Sequence, residues 1–204
     1  MASQGPNYTG WCTDDGGIDS VWYLSGYTDN LAGVGGHDAM VDCGPGATSM
    51  YSNYLGGGSC SFAIPSDATI NGIVVEMYAM ATYKTYGRKM SPSSVKIVKA
   101  GSVVGTEHVT DPYDTYDTVY AWRSYGSSTD LWGTTWTAAQ INANGASGFG
   151  AVLQVWNYDN AYMNTVTADA FRITVYYTEA GKKFCAVLCS KFDGVTFSKF
   201  DGVA

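Results

Sequence analysis

Few residues in this 204-residue sequence are of types that do chemistry, and their spacing limits what they can do. The two histidines, His37 and His108, stand in unrelated contexts. Neither has HExxH spacing, a neighbouring nucleophile motif or a paired carboxylate at fixed offset, and no GxSxG is present. Gly33-Val34-Gly35-Gly36-His37-Asp38 is a glycine cluster, not a GxGxxG between strand and helix, and there is no P-loop. Both histidines read as surface or turn residues. Asp14-Asp15-Gly16-Gly17-Ile18-Asp19 offers oxygen ligands of the kind Ca²⁺ takes, but it does not match the EF-hand loop, and an acidic glycine turn is the simpler reading. No catalytic residues, no metal site and no cofactor are expected, so the chain does not read as an enzyme.

Cys12, Cys43, Cys60, Cys185 and Cys189 are odd in number and irregular in spacing, which argues against a disulfide framework. Cys185-Ala186-Val187-Leu188-Cys189 is not a CxxC motif. Buried free thiols are the favoured reading, with some disulfide as the alternative.

What remains is recognition chemistry. Asp111-Pro112-Tyr113-Asp114-Thr115-Tyr116-Asp117 is an acidic, tyrosine-rich loop. A solvated loop is its simpler reading; on the functional reading Tyr113, Asp114, Tyr116 and Asp117 are candidates for a surface recognition loop that contacts a partner or a sugar. Trp11, Trp22, Trp122, Trp132, Trp136 and Trp156 also invite a carbohydrate reading, because flat aromatic faces stack on sugar rings. Trp122 and Trp156 fall inside strand patterns, however, and core positions are the simpler expectation for most of them.

Composition narrows the setting. Hydrophobic residues make up 46%, enough for a packed core. Only 14% are charged, so Ser, Thr, Asn, Gly and Tyr must cover the surface. Sixteen tyrosines and 25 glycines favour strands and tight turns over helices. A net charge of −7, with no basic stripe, disfavours nucleic acid. No apolar run is long enough for a membrane span. Met1-Ala2-Ser3-Gln4-Gly5-Pro6 lacks the basic and apolar parts of a secretory signal, so synthesis and folding in a cytoplasm are expected.

The elements that must position these residues are strands. Residues 1–60 are Gly-rich, with short strands expected at His37–Cys43 and Ser59–Ile64, all contributing to the same domain as residues 61–180. Residues 61–180 form the core of that domain. Ile73, Val75, Met77, Ala79 and Ala81 alternate with Val74, Glu76, Tyr78 and Met80, the period of two that marks a strand. Val95 and Ile97 open another strand, which turns at Ala100-Gly101. Val119–Tyr125 reads as an aromatic strand. Phe149, Ala151, Leu153 and Val155 define the next, and Phe171, Ile173, Val175 and Tyr177 the last. One short helix is expected where Thr137 and Gln140 have the capping-box spacing. The fold class is all-β: an antiparallel two-sheet β-sandwich, jelly-roll-like, of about eight strands with one connector helix. A barrel is the structural alternative.

Residues 181–204 form a C-terminal tail. Ser190-Lys191-Phe192-Asp193-Gly194-Val195 recurs as Ser198-Lys199-Phe200-Asp201-Gly202-Val203, and each Asp-Gly signals a type I′ hairpin. Isolated hairpins are marginal in water. The tail is therefore expected to dock as added strands, with Phe184, Leu188, Phe192, Val195, Phe197, Phe200 and Val203 as its contact residues. The residues leave open whether it joins its own sheet or that of a neighbouring subunit.

Residues 61–79 (SFAIPSDATINGIVVEMYA), 93–108 (SSVKIVKAGSVVGTEH), 130–157 (DLWGTTWTAAQINANGASGFGAVLQVWN) and 171–181 (FRITVYYTEAG) together resemble β-sandwich domains of structural proteins of tailed bacteriophages. The closing KFDGV repeats look like the short units that end such proteins. The resemblance covers about residues 60–180 and supplies no catalytic residues. It implies a virion protein made in the host cytoplasm: a capsid decoration or cement protein, self-associated as a homotrimer and bound to the major capsid protein or another virion protein. A tail- or fibre-associated module that binds a receptor or carbohydrate, with glycans as ligands, is the alternative it implies.

Overall fold

The computed structural model describes residues 1–14, 17–24, 33–35, 38–44, 46–47, 49–82, 90–145, 148–158 and 162–180. The tail residues Phe184, Leu188, Phe192, Val195, Phe197, Phe200 and Val203 lie outside them, as do Cys185, Cys189 and His37.

The described strands are β1 (Ala2–Tyr8), β2 (Trp11–Asp14), β3 (Tyr23–Leu24), β4 (Ala39–Cys43), β5 (Leu55–Gly58), β6 (Thr69–Thr82), β7 (Met90–Lys99), β8 (Ser102–Val104), β9 (Ala121–Ser127), β10 (Gly150–Asn157) and β11 (Asn164–Thr178). One helix, α1 (Ala138–Ile141), precedes β10. One sheet has the order β3-β4-β11-β6-β9, with β1 also pairing β11; the other has the order β2-β5-β10-β7-β8. Every pairing between these strands is antiparallel. From β4 onward the chain crosses to the other sheet after every strand except at the β7–β8 hairpin, giving β4-β11-β6-β9 over β5-β10-β7-β8. That is jelly-roll connectivity: eight strands in two Greek keys, with the first three strands added at the flanks. Two separate sheets, rather than one closed on itself, make this a sandwich and not a barrel.

The alternating apolar sets account for the core. Ile73, Val75, Met77, Ala79 and Ala81 of β6 are all buried, as are Ala151, Leu153 and Val155 of β10 and Phe171, Ile173 and Val175 of β11. These side chains meet between the sheets together with Val95, Ile97, Phe149 and Leu55 in one hydrophobic cluster. Along β11 the alternation slips by one residue between Ala168 and Ala170. The bulge lets Val166 and Ala168 face inward before it, and Phe171 and Ile173 after it. Its extra residue, Asp169, is buried and accepts the Gly35 N–H at 2.9 Å on one carboxylate oxygen and 3.2 Å on the other.

Ala100 and Gly101 turn β7 into β8 with φ of 52° and 76°, the pair of left-handed residues a tight hairpin needs. Thr137 caps α1 as its spacing predicts. Gln140 N donates to Thr137 Oγ1 at 3.3 Å, and Thr137 N donates to Gln140 Oε1 at 3.0 Å.

Two strand expectations need correcting. Ser59–Ile64 is not a strand: Ser59 and Ser61 have φ of 57° and 53°, which no extended ladder accommodates. The strand there is β5, made of Leu55 and three glycines. Its glycines serve close approach, since a Cβ on Gly150 of β10 would sit 2.2 Å from the Gly57 carbonyl oxygen. The aromatic strand begins at Ala121, and Val119 before it is exposed.

Candidate functional site

The recognition residues gather where β10 leaves its sheet. Val155 and Asn157 are fully buried, so the pleat turns Trp156 between them outward. Its indole N–H donates to the Pro112 carbonyl at 2.9 Å, which ties it to the acidic loop. Ser91 Oγ donates to the same carbonyl at 2.6 Å. Tyr51 pairs with Trp156 through an isolated antiparallel bridge, and the Asn157 N–H donates to the Met50 carbonyl at 2.8 Å. The two rings stack at 5.7 Å between centroids and 19° between planes.

Tyr113 approaches Trp156 at 5.9 Å and Tyr158 edge-on at 5.4 Å, and Tyr158 lies 5.7 Å from Trp156. The position of Tyr113 is set by Asp111, whose Oδ1 accepts the Tyr113 N–H at 2.8 Å. That is the turn an Asp side chain makes with the backbone two residues on. The result is a four-ring surface on which Tyr113 is 62% exposed and Tyr51 41%. The Tyr51 carbonyl accepts the Ser20 N–H, and Ser20 lines a recess with Val21, Tyr23, Asp42, Gly46 and Ala47. Tyr23 and Asp42 continue into a second recess with Met40, Thr82 and Thr165. Such an end can bind through flat aromatic faces flanked by hydroxyl and carboxylate groups.

The loop residues singled out in the sequence separate into two groups. Tyr113 and Asp114 are at the surface, and Asp114 is paired with the Arg123 guanidinium. Asp117 is exposed, and its carbonyl accepts the Ala81 N–H at 2.7 Å. Tyr116 requires a correction: it is fully buried, packed under Arg123 at 4.7 Å, and presents nothing to a ligand. Trp156 and Tyr51 belong to this aromatic surface, though the loop motif did not reveal them. The parity of Leu153 and Val155 already places Trp156 on the opposite face of its strand, so a core position for it, and likewise for the half-buried Trp122, is also corrected. Trp22 and Trp132 are buried, as expected. Nothing in the sequence points to the pairing of Tyr51 with a residue so distant in the chain.

His108 sits in a separate knot and lines a recess with Asp111, Asp114 and Arg123. Its Nε2 is 2.5 Å from Asp130 Oδ2 and its Nδ1 is 3.0 Å from the Thr106 carbonyl, while its ring stacks on Trp132 at 3.8 Å. Burial pushes the Asp130 carboxyl up. The His108 contact and the Trp132 N–H outweigh it and hold the carboxyl below the ordinary carboxylate range. Asp14, from the acidic glycine turn, accepts the Trp22 N–H and the Asn53 amide, both at 2.8 Å. Among the described residues, no three His, Cys, Asp or Glu are grouped to hold a metal ion. Cys12, Cys43 and Cys60 are buried, and burial pushes the Cys43 and Cys60 thiols up to about 12.

No family model matches the sequence, and a search of curated proteins finds no match. Among solved structures, the chain is similar to the family 30 carbohydrate-binding module of a cellulosomal cellulase of Clostridium thermocellum. The two are 11% identical, the match covers 89% of this chain and 99% of that one, and the TM-score is 0.26. A likeness that loose carries no argument about function. The class is set by the strand order alone: an antiparallel jelly-roll β-sandwich.

Proposed function

We propose that this protein is a non-enzymatic recognition domain that binds carbohydrate on the aromatic end formed by Tyr51, Tyr113, Trp156 and Tyr158. One observation carries the reading: four aromatic rings meet at the surface, with Trp156 held by the Pro112 carbonyl and stacked on Tyr51. The core between the sheets is complete without them. Rings fixed in place before binding lose little freedom when a sugar stacks on them. The surrounding carboxylates and the net charge of −7 favour a neutral glycan over an anionic one.

The same proposal places the domain in a virion, as a tail- or fibre-associated module, on the strength of the resemblance over residues 60–180. In the competing proposal, a capsid decoration protein in a homotrimer, this end and the tail would face protein instead of sugar. Affinity electrophoresis in gels cast with neutral polysaccharides separates the two. The sugar reading predicts retardation of the wild type and at least a tenfold weaker interaction for Trp156→Ala and for Tyr113→Ala. Equal mobility of all three in every gel, with a trimer by light scattering, would favour the decoration role.

A further inference from the structure

The outer face of the other sheet carries a second aromatic arrangement. Trp122 of β9 stands directly across from Tyr78 of β6. Its indole lies over Arg172 of β11, with the guanidinium carbon 3.7 Å from the ring centroid. Arg172 is itself fixed: Nε and Nη2 each donate to a Glu76 carboxylate oxygen at 2.9 Å, a two-point pair between neighbouring strands. Ser124 Oγ donates to the same carboxylate at 3.3 Å. A guanidinium pinned in this way to the adjacent strand lies along the sheet, and the indole above it is laid flat against the sheet as well.

One face of Trp122 is therefore taken by Arg172. The ring is half-buried, which leaves part of it open at the surface. Tyr78 flanks it at 5.0 Å and Tyr8 at 6.5 Å, and Tyr120 stacks on Tyr78 at 5.1 Å. Tyr120 is held in turn by a hydrogen bond from its hydroxyl to Asp38 at 3.0 Å. The charges of Arg172 and Glu76 cancel within the pair. A flat, locally neutral, rigid indole bordered by phenol and serine hydroxyls suits the apolar C–H face of an uncharged pyranose. It does not suit a phosphate or a polybasic peptide.

We infer that Trp122, backed by the Arg172–Glu76 pair, is a second saccharide-stacking platform, so that the domain holds two glycan segments on two different sheets. This rests on the reading of the Trp156 end as a sugar site for its ligand class, but on none of its residues. Two platforms on one rigid sandwich would bridge neighbouring chains of a polysaccharide and gain by avidity.

Calorimetric titration of the full chain with neutral hexasaccharides of glucose, xylose, mannose and N-acetylglucosamine tests it by stoichiometry. The expected result is two hexasaccharides per wild-type chain and one each for Trp122→Ala and Trp156→Ala. Trp122→Phe, which keeps a ring over Arg172, should retain the second equivalent with several-fold weaker affinity, and it guards against a variant that fails to fold. One equivalent for the wild type and none for Trp156→Ala would overturn the Trp122 platform and leave the other site standing. The reverse, with Trp122→Ala losing all binding and Trp156→Ala losing none, would overturn the Trp156 site instead. A wild type that takes up none of the four sugars overturns both.

Discussion

A buried phenol with no partner carries a cost that a phenyl ring does not. Among the described residues nothing accepts or donates a hydrogen bond at the Tyr116 hydroxyl, although the side chain is fully buried. Its ring still meets the Arg123 guanidinium, a contact phenylalanine would keep. Tyr116→Phe should therefore leave stability unchanged or raise it by about 1 kcal/mol, read as the midpoint of urea unfolding. A loss greater than that would mean the hydroxyl is satisfied. Cys43 and Cys60 act with the opposite sign at high pH. Burial raises both thiols from 9.0 to about 12, so the folded state holds protons that the unfolded chain releases. The stability they contribute is whole below pH 9 and is lost as pH rises toward 12. In a Cys185→Ser, Cys189→Ser background, a thiol reagent at pH 8 should label the native protein only after denaturant is added. Rapid labelling of the native protein at that pH would show that the remaining thiols are not enclosed.

The elements explain why β5 carries no side chains beyond its leucine. Gly150 faces the Gly57 carbonyl across the β5–β10 ladder with no room for a Cβ. Gly150→Ala must push two paired backbones apart, and a loss of about 1–3 kcal/mol in urea unfolding is expected. A variant as stable as the wild type would mean that the two strands yield freely. The same glycines hid this strand from sequence reading, because a period-two pattern needs side chains to show itself, and LGGG has one. β6, β10 and β11 were legible for the converse reason: each carries an apolar set at every second position, Ile73 to Ala81, Ala151 to Val155 and Phe171 to Val175, and each of those sets is buried. The bulge at Asp169 was not, since a slip of register leaves no mark when small residues flank it on both sides. At the site, Asp111-Pro112-Tyr113 could be read as a surface turn from its residue types. Tyr51 could not be placed, because its position depends on a bridge to Trp156, a residue far along the chain. Tyr116 has the composition of a surface loop but the environment of the core, and local sequence does not distinguish the two.

At the scale of the whole molecule, the jelly roll separates packing from recognition. The core between the sheets is filled mostly by aliphatic and small side chains, with aromatic rings such as Phe149, Phe171, Trp132 and Tyr116 among them. Tyr51, Tyr113, Tyr158, Tyr78, Trp122 and Trp156 are left for the outer faces and one end, where they cover surface in a chain with few charged residues. Aromatic rings held at a surface by backbone carbonyls and ion pairs are the feature on which the proposed sugar binding rests. The most direct test is a nitrogen–proton correlation spectrum of the tryptophan indoles during titration with the four neutral hexasaccharides. The account predicts that the Trp156 indole signal shifts saturably with at least one of the sugars while those of buried Trp22 and Trp132 stay in place. A Trp156 signal that remains unmoved at saturating concentrations of all four would contradict it.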